Sequence, residues 1–143
     1  IIDLDVITVR VTEGCSLPLK IKSQAVLKAI ELSKLLNICV VLDYHHHNIN
    51  PGTIKTTAEL ICITNKVLNV WNNRNITPLF HLSESRRGVT INDSITTRRA
   101  HSDYVELLPD ALLHTIQTNN INLDIEAKMK EKAVIRLFLK YNI

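Results

Sequence analysis

A short apolar run that ends in one aspartate and three histidines is the part of this sequence best suited to chemistry. Residues 40–42 are Val-Val-Leu, and they are followed by Asp43, by a tyrosine, and then by His45, His46 and His47. An apolar run of this length beside loop residues is typical of a buried strand. Imidazole and carboxylate groups together bind transition metals well. The pattern therefore predicts a metal-binding cluster where a strand passes into its loop.

Within this stretch, Asp43 and His46 form the pair that best suits one metal ion. Their i, i+3 spacing at the exit of a strand can turn both side chains toward the same rim of the fold. The alternative is an aspartate that caps its own loop beside histidines in solvent. Local chemistry alone does not choose among the three histidines, and His45 and His47 fit either surface positions or hydrogen-bond donors that orient the ligands.

Further acidic and histidine side chains stand at or near the ends of other predicted strands. Glu13 follows the first strand, His81 lies near the end of the third, and Glu126 directly follows the fourth. His101 lies in the long segment after the third strand. Each has an ordinary alternative: a core histidine at His81, an exposed one at His101, and a salt bridge from Glu126 to Lys128. Together they predict a shared metal site.

The elements that must position these side chains are strands alternating with helices. Apolar and β-branched runs predict four strands, at residues 6–11, 38–42, 76–82 and 121–125. Helical spacing of apolar residues predicts four helices, at 23–37, 54–72, 107–118 and 128–141. Thr53 is the predicted N-cap of the second helix, and segments 43–52 and 83–106 are predicted loops. Successive βα units predict an α/β fold with a parallel sheet, whose site lies at the carboxyl ends of the strands.

The composition is that of one globular domain. The chain has 143 residues, 45% of them hydrophobic, with only three glycines and four prolines, which argues against disorder. No apolar run approaches the roughly 20 residues of a membrane-spanning helix. Three cysteines without C-x-x-C spacing predict a soluble intracellular protein, cytoplasmic or nuclear and not secreted. Because the first residue is Ile1 and the only methionine is Met129, we expect either a piece of a longer chain or a processed chain.

The charge is mildly basic and is compatible with binding to nucleic acid. The formal net charge is +3, and Arg86, Arg87, Arg98 and Arg99 form two pairs in the long polar segment 83–106. Loops of this length are usually functional or disordered. Segment 83–106 is therefore either a solvated loop or a phosphate-binding loop, and the sequence does not decide between the two.

A site made of histidines and carboxylates, without cysteine, suits Mn, Zn, Fe, Co or Mg, and more than one ion if all the ligands converge. Clustered divalent ions activate water and stabilise in-line displacement at phosphorus. Hydrolysis of a phosphodiester, with water on the metal as the nucleophile, is therefore the predicted reaction class. Sugar isomerisation by a metal-bearing barrel is the chemical alternative.

Four segments of the sequence resemble, in order, the UV damage endonucleases, which are metal-dependent DNA repair nucleases with a (β/α)₈ barrel. These segments are LDYHHH at 42–47, PLFHLS at 78–83, HSDY at 101–104 and DIEAKMKE at 124–131. A weaker match is RVTEG at 10–14. The resemblance implies a set of metal ligands made of Asp43, His46, His81, His101, Glu126 and Glu13. It also implies an enzyme that nicks damaged double-stranded DNA immediately 5′ to a pyrimidine photoproduct, with Mn²⁺ as the preferred ion and with arginine contacts to phosphates.

Two departures from the family pattern accompany this resemblance. Leu79 stands where the family usually has a lysine that is thought to be carboxylated. The 143 residues also supply only four βα units, whereas a TIM barrel needs about 250 residues and eight strands. We therefore expect a single partial domain, residues 1–143, that is the C-terminal half of such a barrel and pairs with the missing N-terminal half or a second copy.

Two other functions remain open on the sequence. One is a different metal-dependent member of the same superfamily, such as an apurinic-site endonuclease or a sugar isomerase. The other is a non-catalytic remnant that binds DNA or a partner through its basic loop, an interpretation motivated by Leu79 and by the missing half.

Overall fold

The computed structural model describes residues 6–9 and 25–143 of the chain. In this part of the chain, one sheet contains four strands in the order β1-β2-β3-β4, each parallel to its neighbour. The strands are β1 (Val6–Val9), β2 (Cys39–Asp43), β3 (Leu79–Leu82) and β4 (Asn122–Ile125). The predicted α/β class with a parallel sheet is confirmed.

Six helices are present in the described part of the chain. They are α1 (Ala25–Leu36), α2 (Tyr44–Ile49), α3 (Thr57–Asn72), α4 (Ile95–Arg98), α5 (Asp110–Thr118) and α6 (Glu131–Tyr141). Helices α1, α3, α5 and α6 correspond to the four predicted helices. Helices α2 and α4 lie in segments 43–52 and 83–106, so the prediction that these segments are loops throughout was wrong.

Capping residues explain why three helices begin later than predicted. Helix α3 begins after Thr56 and not after Thr53, because Thr56 and Glu59 form a capping box in which each side chain accepts from the other's backbone N–H. Pro109 precedes α5 and has no N–H that would need a partner there. Lys130, directly before α6, has a positive φ of 47°, which is not a helical conformation.

The helices cover one face of the sheet. All five residues of β2 are buried, as are Phe80 and Leu82 of β3, which is typical of a parallel strand packed against helices. Two buried hydrogen bonds attach α3 to this strand and its exit. The Trp71 indole N–H donates to the Val40 carbonyl at 2.7 Å, and the hydroxyls of Tyr44 and Thr64 lie 2.8 Å apart.

The opposite face of the sheet is more open. Leu79 and His81 of β3 are partly buried, while Asn122 and Asp124 of β4 are exposed. Side chains alternate between the two faces of a strand, so these four residues share the face that does not pack under the helices. The polar groups of this face are therefore within reach of solvent and of ligands.

The described part of the chain contains no helix long and apolar enough to cross a membrane. Cys39 is buried and Cys62 is exposed, and both are free thiols. Cys39 and Cys62 are therefore not joined by a disulfide bond.

Candidate metal centre

Asp43 is the last residue of β2 and also the N-cap of α2. Its Oδ1 accepts a hydrogen bond from the His46 backbone N–H at 3.0 Å, while the residue as a whole is 2% exposed. Because Oδ1 makes the capping bond, Oδ2 remains available for another contact. The same turn brings His46 Nε2 to 3.8 Å from Asp43 Oδ2. The i, i+3 spacing therefore brings these two side chains together, as predicted.

His81 lies beside Asp43 on the neighbouring strand. The two residues are register partners in the parallel pair β2–β3, so their side chains stand on the same face of the sheet. The imidazole of His81 is mostly buried, with 13% of the side chain exposed. The strand pairing therefore fixes the distance between two potential ligands that are 38 positions apart in the sequence.

Glu126 completes the group from the end of β4. Its backbone N–H donates to the Leu82 carbonyl at 2.9 Å, and the Ser83 hydroxyl donates to its carbonyl at 2.7 Å. Its Oε1 lies 3.5 Å from His81 Nδ1. Ser83 was not identified from the sequence as part of the site, and its role here is to hold the backbone that presents Glu126.

Asp43, His81 and Glu126 each offer one ligand atom, and these three atoms lie within 4.8 Å of one another. Asp43 Oδ2 and His81 Nδ1 are buried, and neither makes a hydrogen bond to any residue that the structure describes. Buried polar atoms are nearly always satisfied, and an uncompensated buried carboxylate is costly. The two atoms fit a divalent cation, which would satisfy both at once.

His46 and His101 lie at the margin of this triad. His101 Nε2 is 3.6 Å from Glu126 Oε2, with 35% of the His101 side chain exposed. Together with the approach of His46 to Asp43, this brings five of the six predicted ligands into one neighbourhood. The sixth, Glu13, lies outside the described residues.

His45 and His47 are buried, so the alternative of surface positions for them was wrong. The residues are 3% and 8% exposed, respectively. The His45 ring lies between the rings of His46 and His101, with centroids 5.7 Å and 5.6 Å away, and its Nε2 is 3.4 Å from the Arg99 carbonyl. Burial lowers the pKa of both His45 and His47 below the usual histidine value. A neutral His45 can donate through Nε2 to Arg99.

The long segment 83–106 folds back on itself and carries His101 to the site. Its two arms are joined by an antiparallel bridge between Ser85 and His101, by the Arg86 N–H to the Ala100 carbonyl, and by the Ser102 N–H to the Glu84 carbonyl. The backbone bonds are each 2.9 Å long. His101 is therefore held by a defined backbone arrangement.

The two arginine pairs in this segment lie in different environments. Arg86 and Arg87 are exposed, whereas Arg98 and Arg99 are partly buried. Arg98 Nη2 donates to the Ile49 carbonyl at the end of α2 at 3.4 Å. Arg86 and Arg87 are thus open to a ligand. Arg98 and Arg99 instead contribute to packing, and the Arg99 carbonyl contacts His45.

Asp124 is a polar residue of this region that was not singled out from the sequence. Its Oδ2 lies 3.6 Å from His81 Nε2, and 64% of its side chain is exposed. A cavity of ≈ 510 Å³ is lined by His101, Asp124 and Glu126, and by Lys128 and Lys130 from the following segment. The sequence signal was the alternation of Asp124 and Glu126, which places both side chains on one face.

A larger cavity of ≈ 830 Å³ lies on the helical side of the strand ends. His45 and His47 line it, together with residues at the starts of α3 and α5. Asp43, His81 and Glu126 are not among its lining residues. The larger cavity is therefore separate from the triad, whereas the smaller cavity borders it through Glu126 and His101.

Comparison with known proteins identifies the family of the chain. The family model described as UV-endonuclease UvdE matches residues 18–142. The chain belongs to the UV-endonuclease UvdE family. The UV-damage endonuclease of Schizosaccharomyces pombe is 38% identical over 122 residues, and the UV DNA damage endonuclease of Bacillus cereus is 34% identical over 134 residues. The predicted family resemblance is confirmed.

The chain spans only part of these UvdE relatives. Each alignment covers 85% of this chain, but 19% of the Schizosaccharomyces pombe protein and 39% of the Bacillus cereus protein. The crystal structure of SacUVDE matches with a TM-score of 0.58 at 17% identity, over 82% of this chain and 36% of that one. This likeness shows the fold, which corresponds to part of a TIM-barrel-type structure.

Proposed function

We propose that this UvdE-family chain carries part of the metal site of a DNA repair endonuclease that nicks the backbone 5′ to UV photoproducts. The observation that carries this proposal is the convergence of Asp43, His81 and Glu126 within 4.8 Å at the carboxyl ends of adjacent parallel strands. Parallel α/β folds have their active sites at this edge. The names of the relatives support DNA with UV damage as the substrate.

Asp43, His81 and Glu126 would hold the first cation, and His46 and His101 are close enough to complete its ligand set. Glu13 remains a proposed ligand from the end of the first strand. A donor set of imidazoles and carboxylates suits Mn²⁺, Zn²⁺, Co²⁺ or Mg²⁺, and the resemblance to the UV damage endonucleases favours Mn²⁺ among them. When bound, such a cation would supply positive charge for the phosphate and would make water a better nucleophile.

The residues of the chain prepare this site in ways that do not depend on the ion. The N-cap bond is made by Oδ1, so the second oxygen of Asp43 is buried and makes no hydrogen bond within the described residues. Ser83 fixes the backbone at Glu126. The folded segment 83–106 brings His101 within 3.6 Å of that carboxylate. The cost of keeping Asp43 buried supports a functional reason for its position, because burial alone does not stabilise a charge.

Contacts to DNA would come first from Arg86 and Arg87, which are exposed on the same folded segment 83–106 that carries His101. Arginine contacts to phosphates position a duplex without reading its sequence. Arg98 and Arg99 are included in the proposed phosphate-binding surface, although their partial burial and the Arg98 bond to Ile49 suggest a smaller share. An activity on DNA would place the protein inside the cell, in the cytoplasm or the nucleus.

The chain would act as one half of a barrel, with residues 1–143 as a single partial domain. The open face of the sheet supports this arrangement, since His81, Asp124 and their neighbours would face the inside of a closed barrel. The other half would be an N-terminal half-barrel of the same protein or a second copy of this chain. The alignments with this chain cover 19% and 39% of the two relatives. Such shares are expected for a chain that corresponds to half of a barrel or less.

An incision assay tests the proposed reaction. The complete protein with Mn²⁺ is incubated with an end-labelled duplex that carries one photoproduct, and with matched abasic and undamaged duplexes. We expect one cut, immediately 5′ to the photoproduct, and no cut in the undamaged duplex. A cut only in the abasic duplex would favour another member of the superfamily. Binding of the duplex without any cut would favour a non-catalytic protein.

A further inference from the structure

Asp124 faces the side of the His81 ring that points away from Glu126. The two residues are register partners in the parallel pair β3–β4, so their side chains share the open face of the sheet. Asp124 Oδ2 lies 3.6 Å from His81 Nε2. The contact therefore follows from the strand pairing and does not require a particular loop conformation.

The two nitrogens of His81 have different surroundings. Nδ1 is buried, lies 3.5 Å from Glu126 Oε1, and makes no hydrogen bond within the described residues. Nε2 instead points toward a carboxylate in solvent. A neutral imidazole carries one N–H and one lone pair. A proton on Nε2 leaves the lone pair on Nδ1, the nitrogen that lies 3.5 Å from Glu126 Oε1.

We propose that Asp124 is a positioning residue that holds His81 with its proton on Nε2, so that Nδ1 is the metal-binding nitrogen. This inference rests on the proposed metal site. Histidines that bind metals usually donate their second N–H to a carboxylate or a carbonyl, which fixes the tautomer and the orientation of the ring. Asp124 supplies that carboxylate from the neighbouring strand.

The distance and the exposure of Asp124 suit this role. At 3.6 Å the pair is slightly beyond hydrogen-bond length, and a small rotation of a side chain that is 64% exposed brings Oδ2 into reach. A cation on Nδ1 draws electron density from the ring and makes the Nε2–H a stronger donor. Metal binding would therefore shorten the contact between His81 and Asp124.

Two measurements on the complete protein test this inference with Asp124→Asn, Asp124→Glu and the control Asp110→Asn. The control removes the same charge from another exposed aspartate, at the start of α5. Nitrogen-15 NMR of labelled histidine reports the tautomer of His81 without metal, and calorimetry reports the affinity for Mn²⁺. We expect Asp124→Asn to reduce the Nε2–H tautomer and to weaken Mn²⁺ binding about 10–100-fold. Asp124→Glu should restore part of both, and Asp110→Asn should leave both unchanged.

The outcomes separate this inference from the proposed function. If Asp124→Asn leaves the His81 tautomer and the Mn²⁺ affinity at the wild-type values, Asp124 is an ordinary surface carboxylate and the inference is wrong. If the wild-type protein itself binds no Mn²⁺, the proposed metal site fails, and the role of Asp124 fails with it. Weaker binding with an unchanged tautomer would also overturn the inference, because it would show a general effect of charge.

Discussion

At the scale of single residues, Asp43 combines two roles that usually belong to different side chains. One oxygen caps α2 through the His46 N–H, and the other is buried without a hydrogen bond among the described residues. Capping stabilises the fold, whereas the buried second oxygen destabilises it unless a cation is present. The two roles make different predictions for substitution by asparagine and by alanine.

Asp43→Asn is expected to lose metal binding while the protein keeps its stability. Asparagine is as good an N-cap as aspartate, and it removes a buried charge. We expect the urea midpoint of the metal-free Asp43→Asn protein to be equal to or above that of the wild type. Asp43→Ala loses the cap as well and should be about 1 kcal/mol less stable. Equal destabilisation by both substitutions would contradict this division of roles.

The position of a site residue could be predicted from the sequence only where its contact partner is close in the chain. Asp43 and His46 were paired from their spacing alone, because a cap and the third residue of its helix are neighbours in any sequence. The burial of His45 was not predictable, because it comes from contacts with Arg99 and His101, which are more than 50 positions away in the sequence. Asp124 was overlooked because its partner His81 is brought near only by the register of β3 and β4.

At the scale of elements, the capping box of α3 predicts how stability depends on pH. The Glu59 carboxylate accepts from the backbone N–H groups of Lys55 and Thr56 and from the Thr56 hydroxyl, which lowers the pKa of Glu59 below 4.5. The unfolded chain then binds more protons near that pH than the folded chain. Stability should therefore fall as the pH drops through 4.5 toward the lower folded pKa.

Glu59→Gln removes this titration and is expected to flatten the dependence of stability on pH. Urea unfolding of the wild type and of Glu59→Gln is measured from neutral pH down to below 4.5. The difference in midpoint between the two proteins should shrink as the pH falls, since protonated Glu59 loses its advantage over glutamine. A difference that stays constant over this range would show that the capping box does not contribute through its charge.

The folded segment 83–106 predicts a specific contribution to DNA binding. Arg86→Ala with Arg87→Ala removes two exposed charges from it, whereas Lys28→Ala with Lys34→Ala removes two exposed charges from α1. A plot of the logarithm of the binding constant against the logarithm of the salt concentration has a negative slope. This slope should become shallower by about 0.9 for each lost phosphate contact. We expect this decrease for the arginine variant and a smaller one for the lysine control. Equal slopes in both variants would remove Arg86 and Arg87 from the proposed DNA-binding surface.

The strands and long helices were predictable because their apolar periodicity is local, and the short helices were not. Helix α2 has six residues, four of them histidine or asparagine, and such a composition carries little helical signal. Its formation depends on the cap at Asp43 and on packing of Tyr44 against Thr64 and Phe80. The capping box at Thr56 and Glu59 was visible in the sequence, and Thr53 was chosen because it follows a Pro-Gly turn.

At the scale of the whole molecule, the chain exposes apolar side chains on two of its helices. Three apolar side chains are exposed on each of them: Leu32, Leu35 and Leu36 on α1, and Ile135, Phe138 and Leu139 on α6. Exposed apolar patches of this kind usually mark surfaces that bind another part of a protein or another chain. This distribution is what the proposed half-barrel would have at the two ends of its sheet.

The 143-residue chain expressed by itself is therefore expected to self-associate. Light scattering after gel filtration should give a mass above the monomer, and Leu35→Lys with Leu139→Lys should lower it. Addition of the N-terminal part of the Schizosaccharomyces pombe relative should compete with this self-association. A monomeric wild-type chain at all concentrations would contradict the half-barrel interpretation.

The central claim is that Asp43, His81 and Glu126 hold one divalent cation together, and a Mn²⁺ titration tests it most directly. Calorimetry on the complete protein compares the wild type with Asp43→Asn, His81→Ala and Glu126→Gln, and with the control Asp110→Asn. We predict that each of the three site variants loses the same binding event and that the control retains it. Wild-type affinity in any of the three site variants would contradict the claim that these residues form one metal site.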